Sequence, residues 1–189
     1  DDTLRTLTEQ YIARYAESEL RNFQDRSPRF RYLFDRLRHA AFAVVRETAE
    51  ELRHSDFVPV AFELDFGDGK TLPAVSIREP DSELRIGGKV DRVDGWVKNG
   101  KLYLRVVDYK TGRKEFRLSD VRMGLDIQML LYLFTLQAEG ERHFGMPVEP
   151  AGVLYFPARD EILSAERNIS PELLAAKRAG ELHRCGLLL

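Results

Sequence analysis

The stretch GGKVDRVDGWVKNGKLYLRVVDYKTG, residues 87–112, decides the fold, because two alternating runs flank Asn99-Gly100. An Asn-Gly pair between such runs is a strong local signal for a β-hairpin. The stretch therefore predicts two antiparallel strands that are joined by a tight turn.

The predicted hairpin brings two carboxylates together. Asp91 lies eight residues before Asn99, and Asp108 lies eight residues after Gly100, so the two acids fall nearly opposite each other. Directly opposed carboxylates repel, and we expect a cation between them. Because alternate side chains of a strand share a face, Lys110 points to the same side as Asp108.

A divalent metal is one cation that would satisfy this pair. Mg²⁺ prefers carboxylate, carbonyl and water oxygens, so Asp91, Asp108 and the Tyr109 carbonyl would be the protein ligands. Lys110 would then orient or deprotonate a bound water, or stabilise charge that develops on a phosphate.

Ordinary ion pairs are the alternative. Asp91 would pair with Lys89 or Arg92, and Asp108 with Lys110, as surface pairs at strand ends commonly do. The spacing alone leaves both interpretations open.

The charge balance restricts any nucleic-acid surface to one region. The 189 residues include 29 Lys and Arg against 31 Asp and Glu, which gives a net charge of −2. Residues 78–117 hold 11 basic against 7 acidic residues, and this local excess surrounds the hairpin. A DNA-binding footprint, if present, is therefore local.

Cysteine content and hydropathy indicate a protein of the cytoplasm. Cys185 is the only cysteine, so it excludes an intramolecular disulfide and cannot alone supply a zinc or iron–sulfur site. No apolar run reaches transmembrane length, and the first residues lack the pattern of a signal peptide. We expect no membrane partner.

The order of the predicted elements favours one α/β domain. Residues 1–56 have the apolar spacing of two helices, and residues 57–189 contain the alternating strands. An apolar helix is predicted over 121–140, a further strand over 150–157 and a last helix over 170–182. This order predicts a mixed, mostly antiparallel central sheet that is flanked by helices.

Two polar residues stand out in the apolar helix. Gln128 and Tyr132 lie four residues apart, hence on one face, and a buried amide needs a hydrogen-bond partner. Gln128 would bond a substrate phosphate or base with Tyr132 beside it, or both would bond the backbone of the sheet.

The segments GGKVDRVD, VVDYKTG and GLDIQMLLY, in this order, resemble the RecB-like branch of the PD-(D/E)XK nuclease superfamily. From about Phe57 to Leu189 the chain is similar to the nuclease domains of the AddB family of helicase–nuclease subunits. The resemblance implies a restriction-endonuclease-like core that hydrolyses DNA with Mg²⁺, for which Mn²⁺ substitutes. It also implies DNA, a helicase subunit of AddA type as partner, and a role in double-strand-break repair and recombination.

The resemblance assigns roles to individual residues. Asp91 and Asp108 match the metal-binding acids, Tyr109 would offer its carbonyl, and Lys110 matches the catalytic lysine of the motif. Gln128 and Tyr132 match the QxxxY motif, which lies near the DNA in this branch. The remaining expected contacts to DNA or its surroundings are Glu63, Lys89, Arg92 and Arg113. A solvated strand carboxylate is the alternative interpretation of Glu63.

The sequence departs from this branch at two points. The branch carries a metal-ligating histidine in a GxxxH helix, and none of the four histidines here follows a glycine by four residues. AddB proteins hold an iron–sulfur cluster on four cysteines, of which at most Cys185 is present. A fragment would explain both absences, and no iron–sulfur cluster is expected in it.

Two other functions remain open on the sequence alone. A catalytically incomplete nuclease-fold module would bind DNA or scaffold a partner subunit. A free-standing repair or CRISPR-associated nuclease of the same branch would have a short parent chain.

Overall fold

A computed structural model describes residues 2–20, 26–159, 168–181 and 183–189. The chain divides into two compact units, residues 1–54 with 158–182 and residues 55–157 with 183–189. The first boundary lies close to the predicted change from helices to strands after residue 56. That the two units form a single domain stays a prediction.

The described helices and strands follow in chain order. The helices are α1 (Asp2–Glu19), α2 (Pro28–Arg53), α3 (Leu118–Arg122), α4 (Gln128–Phe144) and α5 (Pro171–Glu181). The strands are β1 (Val58–Phe66), β2 (Val75–Glu79), β3 (Ser82–Ile86), β4 (Gly88–Lys98), β5 (Lys101–Lys110), β6 (Val148–Pro157) and β7 (Cys185–Leu188).

The first unit contains α1, α2 and α5. Ser27 caps α2 by accepting a hydrogen bond from the N–H of Phe30 at 3.3 Å, and Pro28 occupies the first turn, where its missing N–H costs nothing. The guanidinium of Arg5 on α1 lies 5.6 Å from the ring centre of Phe42 on α2. The two helices predicted for this part of the sequence are thus confirmed.

The second unit is built on a five-stranded sheet in the order β1-β4-β5-β6-β7. The β5–β6 pair is parallel, and the other neighbours are antiparallel. β2 and β3 form a separate two-stranded sheet. The prediction of a mixed, mostly antiparallel sheet is therefore confirmed.

The Asn99-Gly100 turn forms as predicted. Both residues have positive φ, 52° and 75°, which suits the tight turn of a two-residue hairpin. Lys98 pairs with Lys101, and the ladder continues to Arg92 opposite Val107. The turn therefore fixes the register on which the juxtaposition of the two acids depends.

The helix after β5 begins later than its apolar pattern predicts. The sequence favours a continuous helix from Val121, whereas α3 ends at Arg122 and α4 begins at Gln128. Between them, Gly124 and Asp126 have φ of 79° and 54°, which a right-handed helix does not allow. This break leaves Gln128 as the first residue of α4.

The core of the second unit lies between α4 and the sheet. One face of α4 packs on the central strands through buried apolar side chains; the main contributors are Met129, Leu133, Leu136, Leu104, Val106 and Val153. No helix in the described ranges is long and apolar enough to cross a membrane.

Gly186 is expected to tolerate no side chain. A Cβ at this position of β7 would lie 2.0 Å from the carbonyl oxygen of Val153 on β6, so the backbone would have to move. We expect Gly186→Ala to lower the free energy of unfolding by about 2 kcal/mol, as overpacking commonly does. Denaturant unfolding measures the loss. Gly112→Ala is the control, because its Cβ meets nothing within 4 Å; equal stability of the two variants would contradict the prediction.

Candidate active site

Asp91 lies where the ladder between β4 and β5 ends. The last recorded pair is Arg92 with Val107, so Asp91 and Asp108 are next in the same register. Here a side chain replaces the backbone acceptor, because Asp91 Oδ2 accepts a hydrogen bond from the N–H of Tyr109 at 2.8 Å. The Asp91 carboxylate is thereby fixed beside the backbone of the DYK motif.

Asp108 and Lys110 lie on the same side of β5, as the alternation predicts. Lys110 Nζ lies 2.7 Å from Asp108 Oδ2, and the Asp108 side chain is only 16% exposed. Among the described residues this buried oxygen has an ion-pair contact but no directional hydrogen bond. An oxygen in this condition is available to a cation.

The three motif residues therefore have the donors that a hard cation prefers. Two carboxylates and a backbone carbonyl match the oxygen ligands of Mg²⁺, which keeps several of its own waters. Within the described part of the chain, no group of three or more His, Cys, Asp or Glu side chains is placed to hold a metal. Asp91 and Asp108 are thus the acidic ligands that this site can offer.

Tyr155 on β6 lies beside the motif and was not found from the sequence. It pairs with Asp108 in the parallel register, and Lys110 Nζ lies 5.9 Å from its ring centre. Burial, followed by the charges of Asp126 and Asp108, raises the pKa of Tyr155 to about 12. The phenol is therefore neutral at physiological pH.

Lys114 and Asp126 form an ion pair close to this tyrosine. Lys114 Nζ lies 5.3 Å from the ring centre of Tyr155, and Asp126 is its ion-pair partner. The thiol of Cys185 donates to the carbonyl oxygen of Lys114 at 3.2 Å, and burial raises the pKa of the thiol. Cys185 is thus a buried structural contact and not an activated nucleophile.

The QxxxY residues contact each other, but only one of them is exposed. Gln128 Nε2 donates to the hydroxyl of Tyr132. Tyr132 is only 4% exposed and packs edge-on against Phe66, with ring centres 4.6 Å apart. Gly88 permits this packing, because its Cβ would lie 2.6 Å from the Tyr132 hydroxyl oxygen. Tyr132 therefore holds Gln128 from the core and cannot stack on a base.

Three predicted contact residues lie on the surface. Glu63 pairs with Lys89 at 3.1 Å, and both side chains are exposed. Glu63 has a φ of 49°, which interrupts the regular alternation of β1. Arg113 is also exposed, in the segment that follows the motif.

Arg92 is a correction to the predicted DNA-contacting set. Its side chain is 0% exposed, and its guanidinium bonds Asp94 and the Tyr109 hydroxyl. A buried guanidinium that is held in this way cannot reach a phosphate of the DNA backbone. The register that opposes Asp91 and Asp108 also opposes Asp94 and Arg105, so the hairpin contained the signal for this pairing.

The family assignment rests on a match over nearly the whole chain. The family model for the PD-(D/E)XK nuclease superfamily matches residues 2–184. The chain belongs to this superfamily, whose nucleases generally use divalent metals. The family resemblance and the fold class inferred from the sequence are confirmed.

Curated relatives narrow the comparison further. The B-type subunit of the ATP-dependent helicase/deoxyribonuclease of Ruminiclostridium cellulolyticum is 38% identical over 164 residues, and that of Acetivibrio thermocellus is 40% identical over 164 residues. The protein of the same name from Clostridium tetani is 30% identical over 190 residues. These matches cover 86% to 98% of this chain but only 14% to 16% of the relatives. The chain thus spans a small part of the length of these relatives.

Proposed function

We propose that the chain is a metal-dependent deoxyribonuclease domain that hydrolyses a DNA strand as an attached helicase unwinds the duplex. The observation that carries the proposal is the bond from Tyr109 N–H to Asp91, since it holds one acid beside Asp108 and Lys110. The names of the relatives support a helicase subunit of AddA type as partner and a role in double-strand-break repair and recombination. Such a protein would act in the bacterial cytoplasm.

The metal ligands of this proposal are Asp91, Asp108 and the carbonyl of Tyr109, with Mg²⁺ as the ion and Mn²⁺ as its substitute. A bound ion of this kind supplies Lewis acidity toward a phosphate oxygen and a more acidic bound water. The Tyr109 N–H keeps the Asp91 carboxylate oriented, and the partial burial of Asp108 keeps its carboxylate poorly solvated. Both effects pre-organise the two acids for a cation.

Lys110 acts as the electrostatic partner of the scissile phosphate. Its ammonium group is held 2.7 Å from Asp108 and remains partly exposed, so a phosphate that approaches Asp108 also meets Lys110. A fixed positive charge at this position stabilises negative charge that develops during hydrolysis. Gln128, Lys89 and Arg113 would contact the neighbouring DNA, which makes binding strongly dependent on salt.

Lys110→Met is the first test of the site. We expect the rate of cleavage to fall about 10²-fold, as for the loss of one charge-stabilising group. The assay uses labelled single-stranded and duplex DNA with Mg²⁺, Mn²⁺ or a chelator. Lys101→Met is the control, because Lys101 begins the same strand and pairs with Glu149. Full activity of Lys110→Met would contradict the role of Lys110.

An incomplete nuclease-fold module is the second candidate, and one observation favours it. In the described residues, Asp91 and Asp108 are not joined by a third acid or histidine. Such a module would bind DNA or scaffold a partner without hydrolysis. Wild-type protein that binds Mn²⁺ in calorimetry but cleaves neither DNA substrate would support this candidate and contradict the proposed activity.

A further inference from the structure

A buried cluster of charges lies on β4 and β5 next to the candidate active site. Asp94 is 0% exposed and accepts from the guanidinium groups of Arg92 and Arg105, at 3.0 Å from Arg92 Nη2 and 2.9 Å from Arg105 Nε. Arg92 Nε lies 2.8 Å from the other oxygen of Asp94. The Asp94 carboxylate thus holds two arginines inside the second unit.

The cluster continues from Arg92 to the motif. Arg92 Nη1 donates to the hydroxyl oxygen of Tyr109 at 2.7 Å, and its guanidinium carbon lies 5.5 Å from the centre of the same ring. The ring of Phe156 packs against Tyr109 with 5.4 Å between ring centres. The Tyr109 side chain is therefore fixed by a charged donor and by an aromatic neighbour.

Tyr109 is consequently held at both ends. Its hydroxyl accepts from Arg92, and its backbone N–H donates to Asp91. Tyr109 also lies between Asp108 and Lys110 in the chain, so a rotation of its backbone would move both of these side chains. The contacts connect a buried carboxylate to three of the residues on which hydrolysis would depend.

We infer that Asp94 is a positioning residue of the active site, which acts through Arg92 on Tyr109 and so fixes the Tyr109 backbone between Asp91 and the two acting side chains of β5. Burial of a carboxylate between guanidinium groups is costly, and an apolar set of similar volume often folds as well. A requirement for a fixed orientation of Tyr109 accounts for charged residues at this place. The catalytic part of this inference rests on the proposed function, whereas the mechanical part does not.

Tyr109→Phe tests the inference with a minimal change. It removes only the hydroxyl that Arg92 holds and keeps the ring that packs on Phe156. We expect hydrogen exchange of the residue 109 amide to become at least about tenfold faster, because tighter side-chain anchoring restricts local opening. The Val106 amide, deep in the same strand, should exchange at its original rate. Tyr103→Phe is the matched control, since the Tyr103 ring packs against Trp96 on the same strand pair.

A second variant examines Asp94 itself. Asp94→Asn keeps the shape of the side chain but weakens its hold on Arg92, so we expect the same change at the residue 109 amide. In both variants the metal concentration that gives half-maximal cleavage should rise about three- to tenfold, with a smaller change in DNA half-saturation. Titration of Mn²⁺ in the cleavage assay measures this difference.

The two readouts separate the possible failures. An unchanged residue 109 amide in Tyr109→Phe would overturn the inference, whatever the activity. Faster exchange together with an unchanged metal requirement would overturn the link from Asp94 to the active site. If the wild-type protein cleaves no DNA, the proposed function fails, and the amide exchange together with Mn²⁺ calorimetry still decides whether Asp94 positions Tyr109.

Discussion

Asp108→Asn is expected to lower the rate of DNA cleavage on the order of 10³-fold at saturating Mg²⁺. The substitution replaces a carboxylate ligand by a neutral amide of the same shape. Lewis-acid stabilisation of the transition state is worth several kcal/mol, and each 1.36 kcal/mol corresponds to about a factor of ten in rate. Initial rates on end-labelled single-stranded DNA, measured over a range of Mg²⁺ and Mn²⁺ concentrations, give the loss.

The design must separate loss of the ligand from loss of the fold. Asp108 is partly buried and pairs with Lys110, so thermal unfolding of Asp108→Asn is measured beside the activity. Glu115→Gln is the control, because it removes an acidic charge from the segment that follows the motif, where Glu115 pairs with Arg117. We expect the control to cleave at the wild-type rate. A fully active Asp108→Asn would rule out Asp108 as a metal ligand.

The sequence predicted those parts of the fold that depend on local signals. The Asn99-Gly100 turn and the alternating runs determine the β4–β5 register, so the opposition of Asp91 and Asp108 followed by counting residues. The Ser27-Pro28 pair predicted the start of α2 correctly, since capping is a local interaction. Pairing between distant segments left no comparable signal. β7 was missed because its four residues pair only with β6, far away in the sequence.

The start of α4 was wrong for a conformational reason. The apolar pattern from Val121 is continuous, but hydrophobic periodicity does not report the sign of φ, and Asp126 adopts a positive value. This break leaves Asp126 beside Lys114 and near Tyr155. The surroundings of the motif therefore depended on a backbone feature that the sequence pattern does not encode.

The DNA-contacting set shows a different limit of sequence reasoning. Arg92 was placed with Lys89 because both are basic and close in sequence. Lys89 is exposed, whereas Arg92 is buried against Asp94. Charge alone does not tell a surface cation from a buried one; the cross-strand partner does, and Asp94 opposes Arg105 in the same hairpin.

Asp94→Ala is expected to destabilise the protein by about 3–5 kcal/mol, the usual cost of removing one partner from a buried ion pair. The loss has two sources: the hydrogen bonds of the carboxylate disappear, and the guanidinium groups of Arg92 and Arg105 lose the charge that compensates their burial. Chemical denaturation followed by tryptophan fluorescence reports the change directly, because Trp96 lies on the same strand, two residues from Asp94.

Asp68→Ala provides the matched comparison for this prediction. Asp68 also pairs with one arginine, Arg85, but both side chains are at least half exposed. We expect this variant to lose no more than about 1 kcal/mol, because water screens the exposed pair and solvates the arginine that remains. Equal losses in the two variants would mean that burial of the Asp94 cluster does not determine its contribution. A large loss in Asp94→Ala together with normal stability of Tyr109→Phe would instead separate the two roles of the cluster, since Asp94 would support the fold while the Tyr109 hydroxyl transmits its position to the active site.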